Sequence, residues 1–246
     1  MRRLTIDVET KPNLAYVWDM YHADYLSPDK LVESNEVICF AAKWNDSKRI
    51  IFKSIHGDGE SEMTLALWSL LDEADVVVHY NGKRFDIPHI NRKFVQHHMN
   101  PPSPYKQVDL FETIKRVFRF PSMKLGYVLH ELGLVEKVET GGFDLWVGCM
   151  ADDAKAWAQM RTYNIGDVVS TEALHDYLLP WIPNYPSHGA MTGEDDCPQC
   201  GGKKLVREGY AYTQGGKFQR FRCADCGRWS RSSKRDAGTH IIGIVA

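Results

Sequence analysis

The order of elements in this 246-residue chain predicts an α/β protein: a five-stranded mixed sheet flanked by helices, then a small cysteine-bearing module. Three observations carry that expectation. Strand and helix periodicities alternate as far as residue 178. A short first strand, residues 4–10, carries Asp7 and Glu9. Four of the six cysteines fall in two Cys-x-x-Cys pairs near the other end.

The first strand, Leu4-Thr5-Ile6-Asp7-Val8-Glu9-Thr10, sets β-branched and apolar residues ahead of two acids. Period two puts Asp7 and Glu9 on one face. Adjacent carboxylates repel, more so when buried, and a divalent cation relieves the repulsion. All-oxygen ligands suit Mg²⁺ or Mn²⁺. An edge strand with a solvated acidic face is the other reading of this strand taken alone.

Residues 11–36 form a long connection rich in aromatics, Tyr16, Trp18, Tyr21 and Tyr25. We read them as cover for the core, with stacking on bases beside the acidic strand as the alternative. Residues 37–44 and 49–55 read as a hairpin turned by Asn45-Asp46-Ser47-Lys48, giving three antiparallel strands. Ser61 is placed to cap a helix whose apolar positions are Met63, Ala66, Leu67, Leu70 and Leu71. Val76-Val77-Val78-His79-Tyr80 has the continuous apolar character of a buried strand. Pro88 suits a helix start, and Ile87, Ile90 and Phe94 give that helix a core face. Val108 ends a short fifth strand. Residues 153–163 are helical, with Trp157 and Met160 on one side. A last helix, 163–178, has Ile165, Val169 and Ala173 as its core stripe. Pro180, Pro183 and Pro186 end it, and residues 185–196 read as a linker.

The hydrophobic share of 43% and charged share of 25% are those of a soluble globular protein. No apolar run approaches membrane-spanning length, and no signal-peptide core follows Met1-Arg2-Arg3, so the expected location is the cytoplasm and no membrane contact is expected. Net charge is −2, but residues 197–246 carry ten Lys/Arg against three Asp/Glu, and the remainder 20 against 29. An acidic body with a basic tail suggests metal chemistry in one part and polyanion contact in the other.

Two further acids stand in suggestive places. Asp86 lies in Asn81-Gly82-Lys83-Arg84-Phe85-Asp86, after the buried strand and before a helix, where α/β sheets present ligands. Gly82 permits an unusual backbone angle at that turn. A helix cap is the alternative role for Asp86. Tyr163 and Asp167 are four apart and share a helix face, separate from the Ile165 stripe.

Asp7-x-Glu9-Thr10, Asn81-x-x-x-Phe85-Asp86 and Tyr163-x-x-x-Asp167, in that order, resemble the three motifs of the DEDD 3′–5′ exonucleases, tyrosine subclass. The likeness is to the proofreading domain of family-B DNA polymerases and its free-standing ribonuclease-H-like relatives, over roughly residues 1–182. Val108-Asp109-Leu110 and Met123-Lys124-Leu125-Gly126 support it. The histidine subclass carries His five residues before the last acid, and here Thr162 stands there, with His175 beyond. No polymerase domain is expected in the fifty residues after the linker.

The resemblance implies a ribonuclease-H-like exonuclease domain over 1–184. In it Asp7, Glu9 and Asp167 hold one Mg²⁺ or Mn²⁺, Asp7 bridges to a second, and Asp86 completes the second site, partly through water. Tyr163 orients the attacking water. Thr10, Asn81 and Phe85 match the places that read the 3′ end. The implied reaction removes nucleoside monophosphates from single-stranded 3′ ends, with DNA favoured over RNA and a replication or repair protein as a further partner. The alternatives are an exoribonuclease on the same site and a non-catalytic scaffold that binds nucleic acid or protein.

In the tail, Cys197, Cys200, Cys223 and Cys226 have the spacing of a four-cysteine zinc ribbon over 197–246, holding one structural Zn²⁺ with no coordination position left open. Cys39 and Cys149 read as small buried hydrophobes. Residues 205–207 and 217–222 read as strands in which basic residues alternate with Phe218 and Phe221, a composition suited to phosphate contact and base stacking. Residues after Arg235 carry no pattern and are expected to be disordered.

Overall fold

The computed structural model describes residues 1–19, 26–134 and 142–238. The chain divides into two compact units, Arg2–Leu174 and His175–Ala246, with Met1 grouped with the second.

The first unit is built on a sheet. β1 (Arg3–Thr10) is followed by a two-stranded ribbon, β2 (Leu14–Ala15) and β3 (Leu31–Glu33), and then by β4 (Val37–Trp44) and β5 (Ile50–Ser54). After α1 (Glu60–Asp72) come β6 (Val76–His79), α2 (Asp86–Gln96), β7 (Lys106–Asp109), α3 (Leu110–Val117), α4 (Leu125–Glu131), α5 (Asp144–Met150) and α6 (Ala154–Leu178). The five-stranded sheet runs in the order β5-β4-β1-β6-β7. β1–β4 and β4–β5 are antiparallel, while β1–β6 and β6–β7 are parallel, so the mixed sheet expected from the sequence is what forms.

Alternation along β1 sorts its residues between two layers. Leu4, Ile6 and Val8 are buried with Phe40, Met63, Leu67, Leu71, Ile90 and Phe94, which is the α1/α2 side. Thr5, Asp7 and Glu9 therefore point the other way. On that side α5 and α6 contribute Leu145, Cys149, Trp157 and Met160, packed with Ile38 and Cys39 of β4. The last parallel β1–β6 pair is Thr5↔Val78, so Asp7 and Glu9 lie beyond it, at the carboxyl end of the parallel strands. The β1–β4 register shifts between Glu9 and Thr10, a bulge of the kind that re-aims side chains beside functional sites.

Several local expectations are corrected. α1 starts one residue before Ser61, with Gly59 (φ 84°) at the cap position and no side-chain cap bond. The two expected helices 153–163 and 163–178 are one continuous α6. Its buried face is Asn164, Val168, Thr171 and Leu174, while Ile165, Val169 and Ala173 are half-buried. The apolar pattern misplaced the stripe because polar residues occupy the buried face. Tyr16 and Trp18 do not cover the core: they are 78% and 98% exposed beside the β2–β3 ribbon, and Tyr21 and Tyr25 lie outside the described residues. That ribbon is anchored by Lys11 N–H donating to Glu36 O at 2.9 Å and by Arg92 bonding Asn35.

The turn after β6 also differs in mechanism. Asn81, not Gly82, takes the left-handed conformation (φ 62°), which Asn tolerates better than most residues. Gly82 is there for space: a Cβ would stand 2.5 Å from His79 Cγ. Gly82 N–H donates to His79 Nδ1 at 3.1 Å, so that nitrogen is an acceptor, and burial holds the imidazole below its ordinary pKa. Gly82→Ala should cost about 1–3 kcal/mol, the usual penalty for overpacking. Denaturant unfolding of the variant measures it, and an unchanged midpoint would show that the ring yields freely.

In the second unit a 3-10 turn (Leu179–Trp181) leads to α7 (His188–Thr192), then β8 (Leu205–Thr213), β9 (Gly216–Cys223), β10 (Trp229–Arg231) and β11 (Ala237–Gly238). β9 is central, pairing with β8, β10 and β11. Residues 185–196, expected as a linker, hold α7 and are bonded into this unit. His188 N–H donates to Pro198 O at 2.8 Å, and His188 Nδ1 meets Asp196 Oδ2 at 2.7 Å. Ala237 and Gly238 pair with Lys217 and Gly216, so order continues past Arg235; residues 239–246 lie outside the described residues.

Candidate active site and cysteine centre

A cleft of about 810 Å³ opens on the first unit, with Asp7, Glu9, Asp86, Tyr163 and Asp167 in its lining. β1 supplies the first two acids by alternation. Asp86 is the first residue of α2, where Phe85 holds the cap position, so the alternative cap role is not the one Asp86 has. Its Oδ1 instead accepts the Val8 N–H at 3.0 Å, tying the start of α2 to the middle of β1. α6 supplies Tyr163 and Asp167 one turn apart.

Carboxylate oxygens of Asp7, Glu9 and Asp167 lie within 4.8 Å of one another, close enough to share one cation. Asp86 stands outside that trio but acts on it electrostatically. Burial, then the charges of Asp86, Glu9 and Asp167, push the Asp7 carboxyl well above the usual range, against a lowering bond from Asn164. Burial pushes Asp86 up to about 7, with Asp109 adding to it. Such raised carboxyls mark a group of acids short of positive charge. Tyr163 packs edge-on to Trp146 (6.0 Å). Burial, the charges of Asp167, Glu9 and Asp7, and a hydrogen bond to Asp167 hold its phenol above the ordinary value, so it is neutral at physiological pH.

Of the expected substrate contacts, Asn81 and Phe85 line the cleft. Thr10 lies past the bulge and is not in the lining. Phe85 is 41% exposed and meets His89 edge-on at 4.8 Å.

Two supporting residues were not anticipated in their roles. Asn164 is fully buried, and its Nδ2 donates to Asp7 Oδ2 at 2.7 Å and to Asp7 O at 3.2 Å. An Asn inside a long helix, one residue from Tyr163 and three from Asp167, was the available signal, because Asn is a poor interior helix residue. Asp109 organises the neighbouring turn. Its carboxylate accepts N–H groups of Asn81 (2.9 Å), Lys83 (3.2 Å), Phe111 (3.0 Å) and Glu112 (3.4 Å), fixing both the Asn81 turn and the start of α3.

In the second unit the four sulfurs of Cys197, Cys200, Cys223 and Cys226 also lie within 4.8 Å of one another, and none is in a disulfide. The two knuckles repeat one backbone pattern. Gly201 and Gly227, at φ 72° and 77°, donate back to Cys197 O (2.9 Å) and Cys223 O (3.0 Å). Cys197 and Cys223 N–H in turn donate to Gly202 O (2.9 Å) and Arg228 O (3.0 Å). Arg228 Nη1 and Gln199 Nε2 fasten the knuckles to the Leu179–Trp181 turn, through Pro180 O (2.7 Å) and Leu179 O (2.6 Å).

A mixed five-stranded sheet with acids gathered at the carboxyl end of its parallel strands defines a ribonuclease-H-like fold. The chain belongs to the RNase_H superfamily, whose family model matches residues 30–179. That span includes Asp86, Tyr163 and Asp167; Asp7 and Glu9 precede it. The fold is similar to that of the family B DNA polymerase from the hyperthermophilic archaeon Pyrobaculum calidifontis, with a TM-score of 0.55 and 18% identity. The likeness covers 73% of this chain and 24% of the polymerase chain, so the protein spans about a quarter of that relative's length. The search of curated proteins gave no match. Among the described residues no helix is long and apolar enough to cross a membrane.

Proposed function

We propose that the protein is a metal-dependent 3′–5′ exonuclease that releases nucleoside monophosphates from single-stranded DNA ends. The observation that carries this reading is the meeting of Asp7, Glu9 and Asp167 within 4.8 Å in a cleft that Asp86 and Tyr163 also line. The donor set is all oxygen and short of compensating charge, which fits Mg²⁺ or Mn²⁺. Asp7, Glu9 and Asp167 would hold one cation, and Asp7 with Asp86 a second. Bound there, two cations supply positive charge to the attacking and leaving oxygens of an in-line displacement at phosphorus.

The chain's own groups do the rest. Tyr163, kept neutral, orients a water by hydrogen bonding and does not remove its proton. Asn81 and Phe85 contact the terminal nucleotide, Phe85 by stacking through its exposed ring. Asn164 holds the Asp7 carboxylate in one orientation.

End-labelled single strands of DNA and RNA, incubated with Mg²⁺ or Mn²⁺, test the reading. Stepwise shortening from the 3′ end supports it, and faster loss of RNA moves the substrate to RNA. Internal cutting, or intact ends that are nonetheless bound, overturns it. Tyr163→Phe should slow hydrolysis by about 10²-fold, in the range of lost general acid–base positioning, while Mn²⁺ affinity measured by calorimetry stays within a factor of about two. A fall in both together would make Tyr163 part of the cation site instead.

The four cysteines we assign to one structural Zn²⁺. Sulfur separations of 3.6 Å (Cys197–Cys226) and 3.7 Å (Cys200–Cys223) match the edge of about 3.8 Å expected for a tetrahedron with Zn–S near 2.3 Å.

A further inference from the structure

The register of the C-terminal sheet sorts its basic residues between two faces. On β9, Gly216, Phe218, Arg220 and Arg222 share one side, since side chains alternate. Residues directly opposite one another share a face, which adds Trp229 (opposite Arg222), Arg231 (opposite Arg220) and Gly238 (opposite Gly216). Arg220 lies over the Trp229 ring at 4.4 Å and Arg231 over the Phe218 ring at 4.1 Å. Arg235 completes the row. It occupies the space left by two facing glycines, where a Cβ would stand 2.9 Å (Gly216) and 2.5 Å (Gly238) from its side chain. Glu208, paired with Arg222 at 3.0 Å, offsets one of these charges. Trp229 is 43% exposed, and Arg222 and Arg231 are exposed.

We infer that this arginine and ring face binds single-stranded nucleic acid, which rests on the nuclease reading only for the identity of the polyanion. A guanidinium backed by a ring presents its other plane outward, already oriented, and unpaired bases stack on such planes. Arg220 Nε donates to Glu208 O at 2.9 Å and Arg231 Nη1 to Ser232 O at 3.2 Å, and the remaining guanidinium N–H groups meet phosphates. From Gly216 to Arg222 the strand runs for about 20 Å, room for roughly six nucleotides at the stacked spacing of about 3.4 Å. A duplex hides its base faces, so the paired rings favour an open strand.

The test uses the full chain carrying Asp7→Asn, so that bound strands stay intact, and fluorescein-labelled oligothymidylate read by anisotropy across a salt series. Trp229→Ala should weaken binding about tenfold, and Trp229→Phe should keep most of it. Arg222→Ala with Arg231→Ala should reduce the slope of log K against log salt by about 1.4, at about 0.7 per phosphate contact. Tyr212, opposite Lys217 and 74% exposed, is on the other face, so Tyr212→Ala should change nothing. Circular dichroism checks that each variant is folded. The inference is overturned if Trp229→Ala binds as tightly as its parent, if Tyr212→Ala weakens binding equally, or if polyglutamate displaces the oligonucleotide as well as unlabelled strand does, which would indicate an acidic protein partner. If the unsubstituted protein hydrolyses nothing and this pattern of binding still holds, the nuclease reading fails while the face keeps its role.

Discussion

Asp7→Asn is expected to reduce phosphodiester hydrolysis by about 10³-fold or more while stabilising the cation-free protein at neutral pH. The first effect follows from position. Asp7 lies among the other acids: its carboxyl feels Asp86, Glu9 and Asp167 at once. Replacing it removes the ligand that would serve both cations, and the several kcal/mol that such cations contribute to charge stabilisation correspond to about three decades of rate. The second effect comes from the same crowding. Asn is nearly isosteric, and its amide still presents an oxygen to Asn164 Nδ2, so the local fold should survive.

The pH dependence follows from the direction of the shifts. Asp7 and Asp86 hold their protons to higher pH in the folded protein than in the unfolded chain, where Asp titrates near 3.9. The folded state therefore binds more protons, and its stability is full below the unfolded value and falls as pH rises, for Asp86 through about 7. Without added divalent cation, the melting temperature of the unsubstituted protein should drop between about pH 4 and 7, and Mg²⁺ should restore it. Asp7→Asn should flatten that drop. A variant that melts lower than its parent at both pH values would show that Asp7 contributes packing and not repulsion.

The sheet and the acid site were legible in the sequence for different reasons. The strands declared themselves through continuous or alternating apolar runs, because burial on one or both faces leaves no other composition stable. The acids of the cleft were visible in order and spacing, yet none of the local rules applied to Asp86 or to α6 was sufficient. Asp86 looked like a helix cap, since capping is a local property; its bond to Val8 joins residues 78 positions apart, which no window of sequence contains. On α6 a search for apolar spacing found Ile165, Val169 and Ala173, whereas the buried face carries Asn164, Asp167 and Thr171. A helix that serves a polar site inverts the usual pattern, so hydropathy points to the wrong side of it. Tyr16 and Trp18 failed in the opposite sense, as large aromatics left on the surface. Gly82 was noticed but misread, because a glycine needed for its missing Cβ and one needed for its backbone angle look the same in a sequence.

Cys223→Ser should unfold the C-terminal unit and leave Arg2–Leu174 folded. Among the described residues from 197 to 238, the buried side chains are Cys197, Gln199 and Cys223, so the four-stranded sheet encloses almost no apolar core of its own. Of its long strands, β8 is exposed along most of its length and β9 is no more than half-buried until Cys223. Backbone bonds and ring–cation pairs contribute about 1 kcal/mol each, against an ordering cost of similar size for every residue fixed. A structural Zn²⁺ held by four thiolates contributes about 10–16 kcal/mol in small metal modules, which is the scale this unit requires. Serine at Cys223 removes one ligand and leaves a hydroxyl too weakly acidic to replace it, and the side chain lost is 1% exposed, at the centre of the knot. The first unit has its own core around Phe40, Leu67 and Ile90 and owes nothing to that metal. Zinc content should fall from about one per chain to near zero, limited proteolysis should cut between residues 197 and 238, and a fragment retaining the first unit should persist with its melting transition intact. Retention of the proteolytic pattern of the unsubstituted protein, with zinc absent from both, would mean that the sheet stands without a metal and that the cysteines do other work.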